Sequence, residues 1–221
     1  VFDVIETLLD LRGLDAYFAR VFGDAGAREQ WFQRVLKTAL VTTVTGPYHD
    51  FSEIGQAALG MTAELRGVAL SDGDRQELKG ALRSLPAHPD ARPGLSALRN
   101  AGFRLATLSN NPAESSRAQL EAADLIDFFE VVLSADDAGR LKPAPEPYRY
   151  AAGQLGVALQ DMWLVAAHGW DITGGRQVGC RTAFVARPGH LPSPLGGTPD
   201  LTGADLPDVA RQLLARSGGS A

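Results

Sequence analysis

The sequence predicts an α/β protein: a doubly wound, mainly parallel Rossmann-like sheet, interrupted after its first strand by an inserted all-helical cap. Three observations carry this prediction. Beyond residue 86, short apolar runs alternate with helical segments, the order expected of parallel strands joined by crossover helices. Residues 13–85 keep a helical period with no strand-like alternation. The chain also opens on an apolar run that delivers Asp3 into a short loop, as a buried parallel strand does at the site-bearing edge of an open sheet.

The elements follow in order. Residues 1–12 hold the first strand and its loop, with a hydroxyl, Thr7, four residues after Asp3. In the helical stretch Trp31, Val35, Leu36, Ala39 and Leu40 recur at helical spacing, as do Phe51, Ile54, Ala58 and Met61 behind an N-cap at Asp50 or Ser52. Ser71-Asp72-Gly73-Asp74 opens another helix that runs to about Leu85. Pro86-Ala87-His88-Pro89-Asp90-Ala91-Arg92-Pro93 then marks re-entry into the sheet-bearing part. Strands are expected at 103–109, 131–133, 163–167 and 182–186, with helices at 94–100, from about 112, at 146–155 and at 171–178. Residues 187–200, rich in Pro and Gly, read as an exposed loop before a short strand and an amphipathic helix at 206–214. The division is a core of residues 1–12 and 86–221 and a cap of residues 13–85. Right-handed crossovers would bring Asp3, Ser109, the loop before Lys142 and the loop after Ala167 to one edge, under the cap as a lid.

Composition narrows the function classes. A net charge of −5 over 221 residues leaves no basic footprint for nucleic acid. No apolar stretch approaches the ~20 residues of a membrane span and no signal peptide is visible, so a cytoplasmic protein without membrane contact is expected. The single cysteine, Cys180, excludes an internal disulfide and a Cys-rich metal site.

Four pieces carry chemistry. Asp3 with Thr7 offers a carboxylate nucleophile or, more plainly, a turn cap. Ser109-Asn110 offers a hydroxyl and an amide, or a helix cap before Pro112. Lys142, held extended by Pro143, offers an inward cation or a solvated surface lysine. Ala167-His168-Gly169-Trp170-Asp171 offers a second carboxylate at a strand end, or a cap for the next helix.

In this order and spacing the pieces resemble the haloacid dehalogenase superfamily over essentially the whole chain, and within it the L-2-haloacid dehalogenases (type II). Tyr148, six residues after Lys142, and Trp170-Asp171 match that subgroup. The resemblance implies a metal-independent hydrolase of small 2-haloacids such as haloacetate or 2-halopropionate, without a cofactor and usually a homodimer. Asp3 would displace halide to form an aspartyl ester that water then hydrolyses. Lys142 would hold Asp3 ionised, and Asp171 would position Lys142 and the water. Thr7, Ser109 and Asn110 would donate to the substrate or to the nucleophile. Tyr148 would fix Lys142, and Ile5, Phe32, Phe51 and Trp170 fall at positions lining the substrate pocket.

The superfamily's magnesium phosphatases carry an acid two residues after the nucleophile, where this chain has Ile5. They also carry Gly-Asp where it has Ala166-Ala167, so phosphate transfer is disfavoured. Three departures from the dehalogenase pattern stand out. Glu6 replaces a Gly, His168 replaces an Asn, and Phe32 replaces the cap arginine that binds substrate carboxylate or halide. For His168 two roles stay open: activating water or contacting halide, and a supporting hydrogen bond. Arg20, Arg34 and Lys37 are the nearby cations, none a direct substitute for the arginine. The alternative is a relative that binds a small anion or a partner protein without turnover.

Overall fold

The computed structural model describes residues 1–217, and its sheet is organised around the opening segment of the chain. Phe2 N donates to Ala106 O (2.8 Å) and Asp3 N to Val165 O (3.0 Å), so residues 1–3 run as a strand between two others. On one side lie β1 (Ala106–Ser109) and β2 (Val131–Ser134). On the other lie β3 (Trp163–Ala166), β4 (Arg181–Val185) and β5 (Leu201–Gly203), and all of these pairings are parallel. The chain steps outward from the opening strand through β1 to β2, then jumps back across it to β3. That reversal puts the switch point of the sheet at the carboxyl end of the opening strand, where Asp3 sits.

Helices α1 (Asp15–Phe22), α2 (Ala27–Thr45), α3 (Phe51–Arg66) and α4 (Asp72–Arg83) fill the stretch between the opening strand and the rest of the sheet. Flanking the sheet elements along the chain are α5 (Ala91–Asn100), α6 (Ala113–Ala122), α7 (Pro145–Leu155), α8 (Gly169–Gln177) and α9 (Leu206–Ser217). The cap helices start where the chemistry of the sequence says they should. The Asp50 carboxylate accepts from Ser52 N and Glu53 N to start α3, and Ser71 with Asp74 forms a reciprocal capping box on α4. The face of α2 that turns inward carries Ala27, Trp31, Phe32, Val35 and Ala39, one apolar stripe at three- and four-residue spacing. No helix among the described residues is long and apolar enough to cross a membrane.

Several expectations need correction. Leu40 and Met61 lie in α2 and α3 as their spacing predicts, but a helical period does not imply burial: both are exposed, because the inward stripes are narrower than the run of apolar residues. The ladder of β1 starts at Ala106 rather than 103, since Phe103 N still closes the turn after α5 on Leu98 O. Helix α8 begins at Gly169 with His168 at its N-cap, so Asp171 lies inside the first turn and does not cap it. The 187–200 segment is not wholly an exposed loop. Arg187 is buried, donating to Thr7 O (2.8 Å) and pairing with Asp90 (2.7 Å).

Candidate active site

Asp3 leaves the opening strand into a tight turn in which Leu8 N and Leu9 N both donate to Val4 O and Glu6 N to Leu9 O. The turn puts Glu6 at φ 60, the left-handed region, at a cost of roughly 1–2 kcal/mol for a residue with a Cβ. It also points Thr7 back at the strand end. The Thr7 hydroxyl donates to Asp3 Oδ2 (2.7 Å) and accepts from Ala167 N (2.9 Å), tying the loop after Asp3 to the end of β3.

Lys142 arrives from the loop before α7, fully buried. Its three ammonium protons are used on Asp3 Oδ1 (2.9 Å), Asp171 Oδ2 (2.6 Å) and Leu108 O (2.9 Å). Asp171 is in turn held through Oδ1 by the Tyr148 hydroxyl (2.7 Å). Tyr148 reaches that position because residue 174 is glycine, where a Cβ would collide with the phenol oxygen. Around Asp3 the remaining contact is His168, whose Nδ1 lies 3.1 Å from Asp3 Oδ2 and whose Nε2 lies 3.3 Å from Glu6 Oε2.

These contacts set the charges. Burial would raise the Asp3 carboxyl, but Lys142 and His168 outweigh it and hold Asp3 well below the usual carboxylate range. Burial would lower Lys142, yet the two carboxylates keep it above its ordinary value. Asp171 is displaced upward, by its complete burial and by the negative charge of Asp3, against the pull of Lys142. His168, despite burial, is raised to about 9 by hydrogen bonds and charge from Asp3 and Glu6. Burial would raise Glu6, but hydrogen bonds and charge from the two histidines beside it, His168 and His190, together bring it down to about 2. The centre thus holds an ionised Asp3 between two cations.

Asn110 does not donate to Asp3 or face it. Its Oδ1 accepts from Lys142 N (2.8 Å) and its Nδ2 lies 3.4 Å from Lys142 O, so it holds the lysine's backbone. Ser109 Oγ accepts from Asn111 N (3.0 Å), the turn-closing role that a hydroxyl before a helix commonly takes. Tyr148 fixes Lys142 only through Asp171, and being fully buried it does not line a pocket. Ile5, Phe32 and Phe51 do: with Trp31, Val35 and Asn111 they line a cavity of 580 Å³ between the cap helices and the sheet edge. Trp170 lies with Leu36, Asn110 and Lys142 around a void of only 10 Å³, and its buried Nε1–H has no partner.

The cations considered as replacements for the cap arginine do not serve. Arg20 pairs with Asp74 and Glu77, Arg34 donates to Gln30 O, and Lys37 is exposed. Phe32 instead packs its ring 6.1 Å from that of His168. Two residues escaped sequence reasoning. Arg187 anchors Thr7, and His190 Nε2 sits 3.1 Å from Glu6 Oε2; neither lies in a periodic segment, and no spacing signal marks them.

Residues 1–179 match the family of haloacid dehalogenase-like hydrolases. The chain belongs to that family. It is 34% identical over 199 residues to (S)-2-haloacid dehalogenase 4A of Burkholderia cepacia, covering 87% of this chain and 84% of the relative. It is 28% identical over 216 residues to haloacetate dehalogenase H-2 of Moraxella sp. (strain B), covering 97% and 96%. Among solved structures it superposes on L-2-haloacid dehalogenase from Xanthobacter autotrophicus with chloropropionic acid covalently bound. There the TM-score is 0.91 at 25% identity, covering 100% of this chain and 98% of that one.

Haloacid dehalogenase-like hydrolases that transfer phosphate need Mg²⁺ beside the nucleophile, and the groups in this site do not suit it. Ile5, Ala166 and Ala167 bring no oxygen ligand in their side chains. Asp3 and Asp171 are both already bonded to the Lys142 ammonium, so the side chains here leave few oxygen ligands for a hard cation.

Proposed function

We propose that the protein is a hydrolytic dehalogenase of small 2-haloacids, with Asp3 as nucleophile. In this proposal residues 1–12 and those from 86 onward form the catalytic core and residues 13–85 the cap over it. The observation that carries it is the buried contact of Lys142 with both Asp3 and Asp171, which keeps Asp3 ionised at the switch point of the sheet. A nucleophile that must attack carbon has to stay charged and poorly hydrated, and this arrangement supplies both conditions.

An Asp3 carboxylate oxygen attacks the carbon bearing halogen. A C–O bond forms as the C–X bond breaks, its electron pair leaving with halide and the carbon inverting. Water then adds to the Asp3 carboxyl carbon and the ester C–O bond breaks. Asp3 is restored, and the hydroxy acid and one proton are released. Ile5 cannot move a proton, and neither step asks it to. Thr7 donates to the carboxylate, and Asp171 acts by holding Lys142 between the two acids. Trp170 brings an unused N–H donor beside Lys142, suited to the departing halide. His168 contributes positive charge next to Asp3, with both ring nitrogens already facing carboxylates, so water activation does not fall to it. Ser109 and Asn110 shape the strand end and the lysine loop.

The experiment is halide release, by ion chromatography, from fluoroacetate, chloroacetate and both 2-chloropropionates in EDTA, beside Asp3→Asn and a phosphate ester with Mg²⁺. Halide from the parent alone is the expected result. A single turnover in ¹⁸O-water should place label in the Asp3 carboxylate. An Asp3→Asn protein with full activity, shown by mass spectrometry not to have deamidated, would overturn the mechanism. Absence of halide from every substrate would move the assignment to a family member that binds a small anion or a partner without turnover.

A further inference from the structure

We propose that Glu6, His168 and His190 form a binding site for a first-row transition metal ion of the Zn²⁺ type, in which the ion takes the place of the His168 Nε2 proton while Nδ1 stays on Asp3; the site stands whether or not the protein is a dehalogenase. The three side chains come from separate segments: the turn after the opening strand, the N-cap of α8, and the loop between β4 and β5. Their ligand atoms all lie within 4.8 Å of one another. Glu6 Oε2 is 3.3 Å from His168 Nε2 and 3.1 Å from His190 Nε2. A tetrahedral ion with Zn–N and Zn–O bonds of roughly 2.0–2.1 Å has ligand-to-ligand edges of about 3.3 Å, so both measured edges already suit it.

The surroundings are those of a held site rather than a chance meeting of side chains. His168 turns its other nitrogen, Nδ1, to the Asp3 carboxylate at 3.1 Å, the outer hydrogen bond that orients metal-binding histidines and fixes their tautomer. His190 follows a left-handed glycine, Gly189 at φ 82, and its backbone N–H returns to Arg187 O (3.0 Å). Arg187 is itself pinned to Thr7 O and Asp90, so the segment that presents His190 is fastened to the same turn that presents Glu6. Glu6 keeps its carboxylate at a left-handed backbone position that glycine would occupy without strain.

All three residues line a cleft of 440 Å³ with Gln33, Trp170 and Thr173, which leaves room for water or a small anion as the remaining ligand. Two imidazoles and one carboxylate select Zn²⁺, Co²⁺, Ni²⁺ or Cu²⁺ over Mg²⁺ and Ca²⁺, which prefer all-oxygen shells.

The test uses binding rather than turnover. Protein freed of metal with a chelator is titrated with Zn²⁺ in a calorimeter and with Co²⁺ in the visible spectrum. The expected result is one equivalent bound, with the intense Co²⁺ absorption of a four-coordinate nitrogen–oxygen site. His190→Ala and Glu6→Gln should each weaken Zn²⁺ binding by at least about 100-fold, the upper end of what losing a mere outer partner costs. His49→Ala, which removes the exposed His49–Glu53 pair, should leave binding unchanged. Absence of saturable binding of either ion would overturn the site, as would a His190→Ala protein that binds Zn²⁺ as tightly as the parent.

Discussion

Replacing Lys142 by Met is the most demanding perturbation of the site, because the change keeps an unbranched apolar stem one atom shorter and removes the charged group with all its donors. The lysine side chain has no exposure, Asp171 has none, and Asp3 is 7% exposed, so water cannot take over the three hydrogen bonds that Nζ makes. Asp171 then keeps only the Tyr148 hydroxyl, Asp3 keeps only His168 and Thr7, and the two carboxylates lose the ammonium they shared. Breaking a buried ion pair from one side costs about 3–5 kcal/mol, against a total stability of roughly 5–15 kcal/mol for a domain. At about 2–4 °C per kcal/mol for a chain of this size, Tm should fall by roughly 6–20 °C.

Charge relaxation sets the second signature. Asp3 sits below its ordinary pKa, so its ion pairs add stability above the unfolded value of 3.8 and lose it as pH falls through the folded value. Without Lys142 much of that stabilisation disappears, and the gap in Tm between parent and variant should narrow as the medium is acidified toward that range. Halide release should drop by about 10²–10³-fold in kcat, the loss seen when one preorganised charge-stabilising donor is removed. Thermal melts from pH 2 to 8 and ion chromatography read the two effects separately. A Lys142→Met protein that melts within about 2 °C of the parent and releases halide normally would refute the reasoning.

Three further outcomes are expected. Trp170→Phe keeps the ring and removes the unpartnered Nε1–H; halide release should slow by about 3–10-fold, one neutral hydrogen bond, with the melting temperature unchanged. Asp90 is held below its ordinary 3.8, against burial, by Arg187 and Leu206 N, so it contributes stability above that value that is lost as pH falls through the folded value. Asp90→Asn should therefore melt earlier than the parent at pH 7 and together with it near pH 2, read by thermal melts across that range. Glu6→Gly and His168→Asn should each perturb stability alone, and the double variant should recover a coupling of roughly 0.5–3 kcal/mol in a denaturant-unfolding cycle; strict additivity would show that the pair is not coupled.

The sheet was legible because parallel strands buried on both faces read as short apolar runs, and because three of these runs lead into polar residues: Asp3 in the opening strand, Asn110 after β1 and His168 two residues past β3. That regularity also indicated which loops meet. What stayed hidden were contacts that need a third partner to be known. The amide of Asn110 suggests a donor to an anion, and only the path of the Lys142 backbone beside it reveals a clamp. Arg187 and His190 lie in a Pro- and Gly-rich segment without periodicity, and they meet Thr7 and Glu6 across nearly the whole chain length. Leu40 and Met61 fit a helical period, but a period gives a direction and not the width of the stripe that finds a partner. Glu6 did carry a signal, since a residue standing where relatives have glycine marks a left-handed backbone.

The exchanges at positions 6, 32 and 168 form one electrostatic rearrangement. In the pattern this chain resembles, an arginine from the cap binds substrate carboxylate or halide. Here the cation is His168, delivered by the N-cap of α8, with its charge balanced by Asp3 on one nitrogen and Glu6 on the other. Phe32 packs beside that imidazolium with ring centres 6.1 Å apart. An arginine at position 32 would bring a second positive charge toward the imidazolium, and like charges about 6 Å apart repel by about 3 kcal/mol at an effective dielectric of about 20. A phenyl ring is the side chain that fills the place at no electrostatic cost and keeps water from the pair. Placing arginine at 32 while His168 stays should therefore add a charge conflict with the imidazolium rather than an anion clamp.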